Sequence, residues 1–193
     1  GMPFPFAKTN CYMHSTRTPL IVRWPGRVNP GDIDREHMVS GIDLMPTILA
    51  AVNVPVDRWT TLSASGGALV PGFDGRSFLR LLDGEQQSGR DQVFTQFNHI
   101  HGRKPYPMRA VLTKSMAYVF NPWSDGQRSY SAEPLSGLTF RAMEKAGRED
   151  PAIEKRVRHL QYRIVEELYD LRTDPDCLYN LLGNSDYDEQ LAD

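Results

Sequence analysis

The feature that most limits the folds open to this 193-residue chain is a pair of strand-like runs, Met108–Thr113 and Met116–Phe120, separated only by Lys114 and Ser115. So short a connection is consistent with a hairpin, since a parallel crossover takes a dozen residues or more. Lys-Ser is not a favoured tight-turn pair, so the spacing carries this reading and the turn chemistry does not. A further run, Gln92–Phe97, precedes the pair, and Glu167–Leu171 reads as a final strand. Between them, Leu135–Gly147 and Pro151–Tyr162 have helical spacing, the second with charged residues on its outer positions. Strands, then helices, then a returning strand describe a small antiparallel α+β subdomain.

The first part of the chain is patterned differently. Residues 1 to 18 lack periodicity and are rich in Pro, aromatic and polar side chains, the profile of a functional loop. Leu20-Ile21-Val22-Arg23-Trp24 is a short β-branched run stopped by Pro25-Gly26, which predicts a buried strand and a turn. Ser40 to Val54 carries Ile42, Leu44, Met45, Ile48, Leu49 and Val52 at helical spacing, with Pro46 tolerable near the first turn. Strand, loop and helix make one α/β unit of the kind found at the edge of a layered sheet. Residues 55 to 75 are rich in Gly, Ser, Thr and Pro and read as a linker, and Ser77–Leu82 as a short helix ended by Asp83-Gly84.

Composition excludes some functions. A formal charge of -2 lacks the basic excess of a sequence-independent nucleic-acid binder. No apolar run reaches the roughly 18 residues of a membrane helix, so no membrane partner is expected. Gly1-Met2-Pro3-Phe4-Pro5-Phe6 is not a secretory signal, having no basic region followed by an apolar stretch. Cys11 and Cys177 form neither a disulfide framework nor a metal knuckle. Free, partly buried thiols are expected, with a single bridge as the alternative.

Four blocks in order carry a family resemblance. Pro3-Phe4-Pro5-Phe6-Ala7-Lys8-Thr9-Asn10 resembles the segment that follows the metal motif of sulfatases, and Arg17–Gly26 is similar to their R-x-P-L-I-V-R-W-P-G strand. Gly41–Leu49 resembles the D-L-x-P-T-I-L helix, and Glu167–Asp176 with Asn180-Leu181-Leu182 the closing ELYDL-x-x-DP signature. Pro3-Phe4-Pro5 and Tyr106–Val111 point more finely to the heparan N-sulfatase (sulfamidase) group. The resemblance implies an α/β fold: a carboxy-terminal fragment of the alkaline phosphatase-like sulfatase fold, with an edge strand-helix unit and the small α+β subdomain. Residues 1–55 would then be a remnant of the large domain, 56–76 a linker and 77–193 the carboxy-terminal subdomain.

A sulfate or sulfamate ester is an anion, and its attack needs cations to offset charge on the transferred group. The family supplies calcium, held by hard oxygen ligands, and a formylglycine matured from a C/S-x-P-x-R motif. Neither Cys11 nor Cys177 lies in such a motif, and the family's acidic metal pair would fall just before Gly1. No metal site and no cofactor is therefore expected in this chain; calcium and formylglycine belong to the complete enzyme. From the residues alone Lys8 reads as an ordinary solvated loop lysine; the resemblance places it where the family has a basic contact to the substrate sulfate, a catalytic position. His99 and His101 share a strand face, and the corresponding region in the sulfamidase-like group lies near the sugar, which implies substrate binding. A packed or surface pair is the alternative, and two imidazoles without a third ligand are a weak metal signal. Arg109 reads as a contact to an anionic ligand or as an internal salt bridge at the sheet edge.

Arg17 reads as a loop anchor, Asp43 as a capping acid, and Asp170, Asp174 and Asp176 as turn residues more than a calcium cluster. The expected function is that of the carboxy-terminal part of a sulfatase, inactive alone, acting on sulfated sugars with an amino-terminal sulfatase half as partner. The alternative is a non-catalytic sulfated-glycan-binding or interaction module. A homo-oligomer is expected, since Leu20–Trp24 and the helix after Asp43 would expose apolar surface without the large sheet. A periplasmic or secreted location would fit the family.

Overall fold

The computed structural model describes residues 4–55, 60–62, 69–100, 104–188 and 190. The chain divides into two units: Leu20–Val93, and a second made of Gly1–Pro19 with Phe94–Asp193.

The larger unit is built on the hairpin and includes a single helical turn, α1 (Met13–Thr16), in its amino-terminal part. β3 (Gln92–His99), β4 (Pro105–Thr113), β5 (Met116–Phe120) and β6 (Glu166–Asp170) form a four-stranded sheet in the order β3-β4-β5-β6. β4 pairs antiparallel with β5, and β5 antiparallel with β6. The unfavoured Lys-Ser turn closes because the Thr113 hydroxyl accepts the backbone N–H groups of Ser115, at 3.2 Å, and Met116, at 2.9 Å. That side chain supplies what Asn or Gly supplies in commoner turns.

Strand periodicity sorts the sheet into two faces. Met108, Ala110 and Leu112 of β4 and Ala117 and Val119 of β5 are buried, and the register brings Glu167 and Tyr169 of β6 onto that same face. The helices follow the expected spans. α4 covers Leu138–Ala146 after a 3-10 turn at Glu133–Ser136, and α5 covers Pro151–Tyr162. α5 starts where it does because the Asp150 carboxylate accepts the N–H groups of Ala152 and Ile153 and Pro151 fits the first helical position. It stops at Arg163, whose φ is 58°.

The closing signature holds β6 in place. Asn180 accepts the Leu168 N–H at 2.9 Å and donates to the Glu166 carbonyl at 3.1 Å, and Leu181 N–H reaches the Leu168 carbonyl. The free side of β6 thus gains a partner although no fifth strand pairs with it among the described residues. Asp174 accepts the N–H groups of Leu178 and Tyr179, which fixes the Asp-Pro turn.

The Leu20–Val93 unit contains α2 (Leu44–Ala51), preceded by a 3-10 turn at Gly41–Asp43, α3 (Leu79–Leu82), and a two-stranded antiparallel pair, β1 (Thr60–Leu62) and β2 (Leu69–Pro71). That pair corrects the linker reading: part of 56–76 is a hairpin, its strands being Thr-Thr-Leu and Leu-Val-Pro. The expected strand at Leu20–Trp24 is also corrected. The segment belongs to neither sheet, because no neighbouring strand offers it a hydrogen-bonding ladder, and Ile21 is 88% exposed.

Asp43 organises this unit. Its carboxylate accepts the N–H of Ser40 at 2.9 Å in a capping box, the N–H of Arg76 at 2.7 Å and the Arg90 guanidinium at 2.6 Å, and both members of the ion pair are buried. Gly75 permits the approach of residue 76, since a Cβ there would lie 2.1 Å from the Ile42 carbonyl oxygen. α2 turns Pro46 and Thr47 inward, whereas Ile42, Leu44, Met45, Ile48 and Val52 are exposed.

Asp43→Ala strips a buried guanidinium of its partner and should cost about 3–5 kcal/mol. Asn180→Ala leaves the Leu168 N–H without its acceptor and should cost about 1–3 kcal/mol. Urea unfolding followed by circular dichroism measures both; losses below 0.5 kcal/mol, the usual range for surface changes, would remove Asp43 and Asn180 from these roles.

Candidate functional site

Lys8 lies in an amino-terminal loop that covers the buried face of the sheet. Phe6 and Thr9, on either side of the Ala7-Lys8 pair, have φ of 63° and 59°, a left-handed conformation that non-glycine residues adopt only when their surroundings impose it. Hydrogen bonds from near and far in sequence hold the loop around Thr9. The Asn10 amide donates to the Lys8 carbonyl at 2.8 Å, its own oxygen accepts the Tyr12 N–H at 3.0 Å, and the Tyr130 hydroxyl donates to the Thr9 carbonyl. The Lys8 ammonium is part-exposed and paired with Glu133 at the surface.

Beneath the loop sits the Glu167 carboxylate, fully buried on the sheet face. It accepts the hydroxyls of Tyr12 at 2.6 Å and Tyr169 at 2.5 Å and the Asn121 amide at 2.7 Å, and His159 Nε2 stands 3.1 Å away. Burial works against its charge, but these donors prevail and hold the carboxyl below its ordinary range. Burial, and after it the Glu167 charge, push the Tyr12 phenol up, so Tyr12 stays a donor.

Arg163 borders the same loop. Its guanidinium is buried, its three nitrogens have no hydrogen-bond partner among the described residues, and it lies 5.0–5.3 Å from the ring centres of Phe6, Tyr12 and Tyr130. Aromatic faces compensate a desolvated cation in part. Arg156 stacks on Phe6 at 3.6 Å while donating to the carbonyls of Asp176 and Cys177 in the closing signature.

The remaining expected site residues fall as follows. His99 is exposed at the end of β3. His101 lies outside the described residues. Arg109 is exposed on β4 and donates to the carbonyls of Met108 at 2.7 Å and Phe97 at 3.3 Å, a tether to the backbone. Its charge also reaches Cys11, at the far end of the Lys8 loop. Cys11 and Cys177 are free and buried, and burial pushes both thiols up, Cys177 to about 12.

No three His, Cys, Asp or Glu side chains gather around a common point among the described residues. The signature acids are engaged elsewhere: Asp170 with Arg172, Asp174 with backbone N–H groups and Asp176 with His14. These residues do not fit a calcium cradle. Sequence reasoning missed Tyr12, Tyr130, Arg163 and Glu167 as supports of the Lys8 loop. One signal was available: Glu167 and Tyr169 share the period-2 face that the other strands fill with apolar side chains.

Comparisons with known proteins agree with this architecture. The family profile described as N-sulphoglucosamine sulphohydrolase, C-terminal, matches residues 4–120. The chain is 32% identical over 186 residues to human N-sulphoglucosamine sulphohydrolase, spanning 94% of this chain and 35% of that protein. It is 25% identical over 175 residues to the ulvan-active sulfatase of Formosa agariphila, spanning 89% of this chain and 30% of that one. A solved structure of a protein in complex with its substrate D-glucosamine-2-N,6-O-disulfate superposes with a TM-score of 0.50 at 17% identity, over 91% of this chain and 26% of that one, a likeness of fold. The chain thus spans about a third of the length of the curated relatives it matches. With well over half of its residues inside the profile, the chain belongs to the N-sulphoglucosamine sulphohydrolase C-terminal family and represents the carboxy-terminal portion of a sulfatase.

Proposed function

We propose that this chain forms the substrate-side, carboxy-terminal part of a sulfatase acting on N-sulfated or O-sulfated sugars, with Lys8 contacting the sulfate and His99, His101 and Arg109 lining the sugar side. Nucleophile and calcium then come from an amino-terminal sulfatase half, and residues 1–55 complete that half's large domain. The observation that carries this reading is the presentation of Lys8: a strained, hydrogen-bonded loop holds it, and its ion pair with Glu133 is at the surface.

The physical steps are modest. A sulfamate is an anion with several acceptor oxygens, and a lysine ammonium donates up to three hydrogen bonds. Lys8 is 35% exposed and Glu133 58% exposed, so their pair contributes only about 0–1 kcal/mol and yields readily to an incoming sulfate. The ammonium then offsets charge on the transferred group, provided it stays in place as charge develops. The human relative's name, N-sulphoglucosamine sulphohydrolase, supports the N-sulfate as the scissile group. Exposed Ile21, Ile42, Met45 and Ile48 support a surface covered by the rest of the enzyme, or by a second copy when the chain is alone.

Binding of N-sulfoglucosamine to the full chain, followed by calorimetry, should weaken roughly tenfold in Lys8→Ala and tighten in Glu133→Gln, which removes the competing carboxylate. Equal affinity in all three proteins would remove Lys8 from the role. The chain alone should not turn over a generic aryl sulfate; steady turnover by pure protein would overturn its dependence on an amino-terminal half. Sedimentation should show a dimer or larger species, and a monomer at high concentration would refute self-association.

A further inference from the structure

Four of the five non-glycine residues with positive φ among the described residues fall in one neighbourhood: Phe6 and Thr9 in the Lys8 loop, Arg163 at the end of α5, and Cys177 in the closing signature. Each such residue is strained and persists where its surroundings over-determine it. Here both sides of one contact are strained. The loop presents Phe6 and Tyr12 inward, and α5 with β6 presents Arg156, Arg163 and Glu167 to meet them.

Glu167 is the centre of this contact. A carboxylate on an apolar sheet face is unfavourable unless fully hydrogen-bonded, and here one of its donors comes from the loop. Tyr12 is thereby held by its hydroxyl, and Asn10 links the Tyr12 N–H to the Lys8 carbonyl, so a continuous chain of hydrogen bonds runs from Glu167 to the Lys8 backbone. Asn180 bonds the free side of β6 and Asp174 fixes the Asp-Pro turn, and neither of those contacts uses the Glu167 carboxylate.

We infer that Glu167 of the closing signature is a positioning residue that, through Tyr12 and Asn10, fixes the backbone of Lys8 in its sulfate-ready place, a role that rests on the reading of Lys8 above. Its effect is on preorganisation: an ammonium on a loose loop still attracts an anion, but it must be ordered at each encounter, which weakens binding.

The test uses the full chain with inorganic sulfate as the probe and two readouts by NMR. Amide exchange at Asn10 and Tyr12 reports the loop, with β4–β5 ladder amides as the internal reference, and the sulfate-induced shifts of residues 7–10 report the site. Glu167→Ala should speed loop exchange roughly tenfold while the ladder amides keep their protection. Sulfate affinity should fall several-fold. Glu167→Gln, whose amide oxygen still accepts the Tyr12 hydroxyl, should recover part of both. Should Glu167→Ala fail to fold, Tyr12→Phe removes only the loop's hydroxyl and must give the same pair of changes. Unchanged loop exchange in Tyr12→Phe, or a loosened loop with undiminished sulfate affinity while Lys8→Ala loses it, overturns the inference. If Lys8→Ala binds sulfate like the parent, the reading of Lys8 fails instead, and the exchange data still decide whether Glu167 fixes the loop.

Discussion

A single buried carboxylate governs the larger unit. Glu167 lies on the sheet face otherwise filled by Met108, Ala110, Leu112, Ala117 and Val119, where an unpaired charge would be strongly disfavoured. Its partners come from different parts of the chain: Tyr12 from the amino-terminal loop, Asn121 from the end of β5, His159 from α5 and Tyr169 from β6 itself. Satisfying one charge therefore fixes three elements at once. Removing any one donor leaves the others in a low-dielectric setting where each hydrogen bond counts for more than it would in water.

The Leu20–Val93 unit repeats the device with the opposite distribution of apolar surface. Asp43 and Arg90 form a buried pair that ties the capping turn of α2 to residues 76 and 90. A polar hub holds the inside of this unit, and Leu44, Met45 and Ile48 of α2 are exposed. Such an arrangement has little hydrophobic stabilisation of its own, since apolar area left in water contributes nothing to folding.

Much of the secondary structure was legible because it rests on local rules. The strand-like runs and their short connection gave β4 and β5, helical spacing gave α5, and Asp43 was legible as the capping acid before α2. Leu20–Trp24 misled because β-branched residues state a preference, while a strand exists only with a partner to bond. The pair at β1 and β2 was hidden by Gly, Ser and Thr, whose composition resembles a linker whether or not two short pieces of it meet.

What the sequence determined by itself was family, element types and the candidate lysine, because motif order, periodicity and capping are written along the chain. What only the tertiary structure decided was the purpose of the closing signature's glutamate. Glu167 and Tyr12 are 155 residues apart, and nothing local to either specifies the other. Their pairing follows from burial: once the sheet places a carboxylate in an apolar interior, the chain must bring hydrogen-bond donors to it, and the loop bearing Lys8 is one of the segments that do.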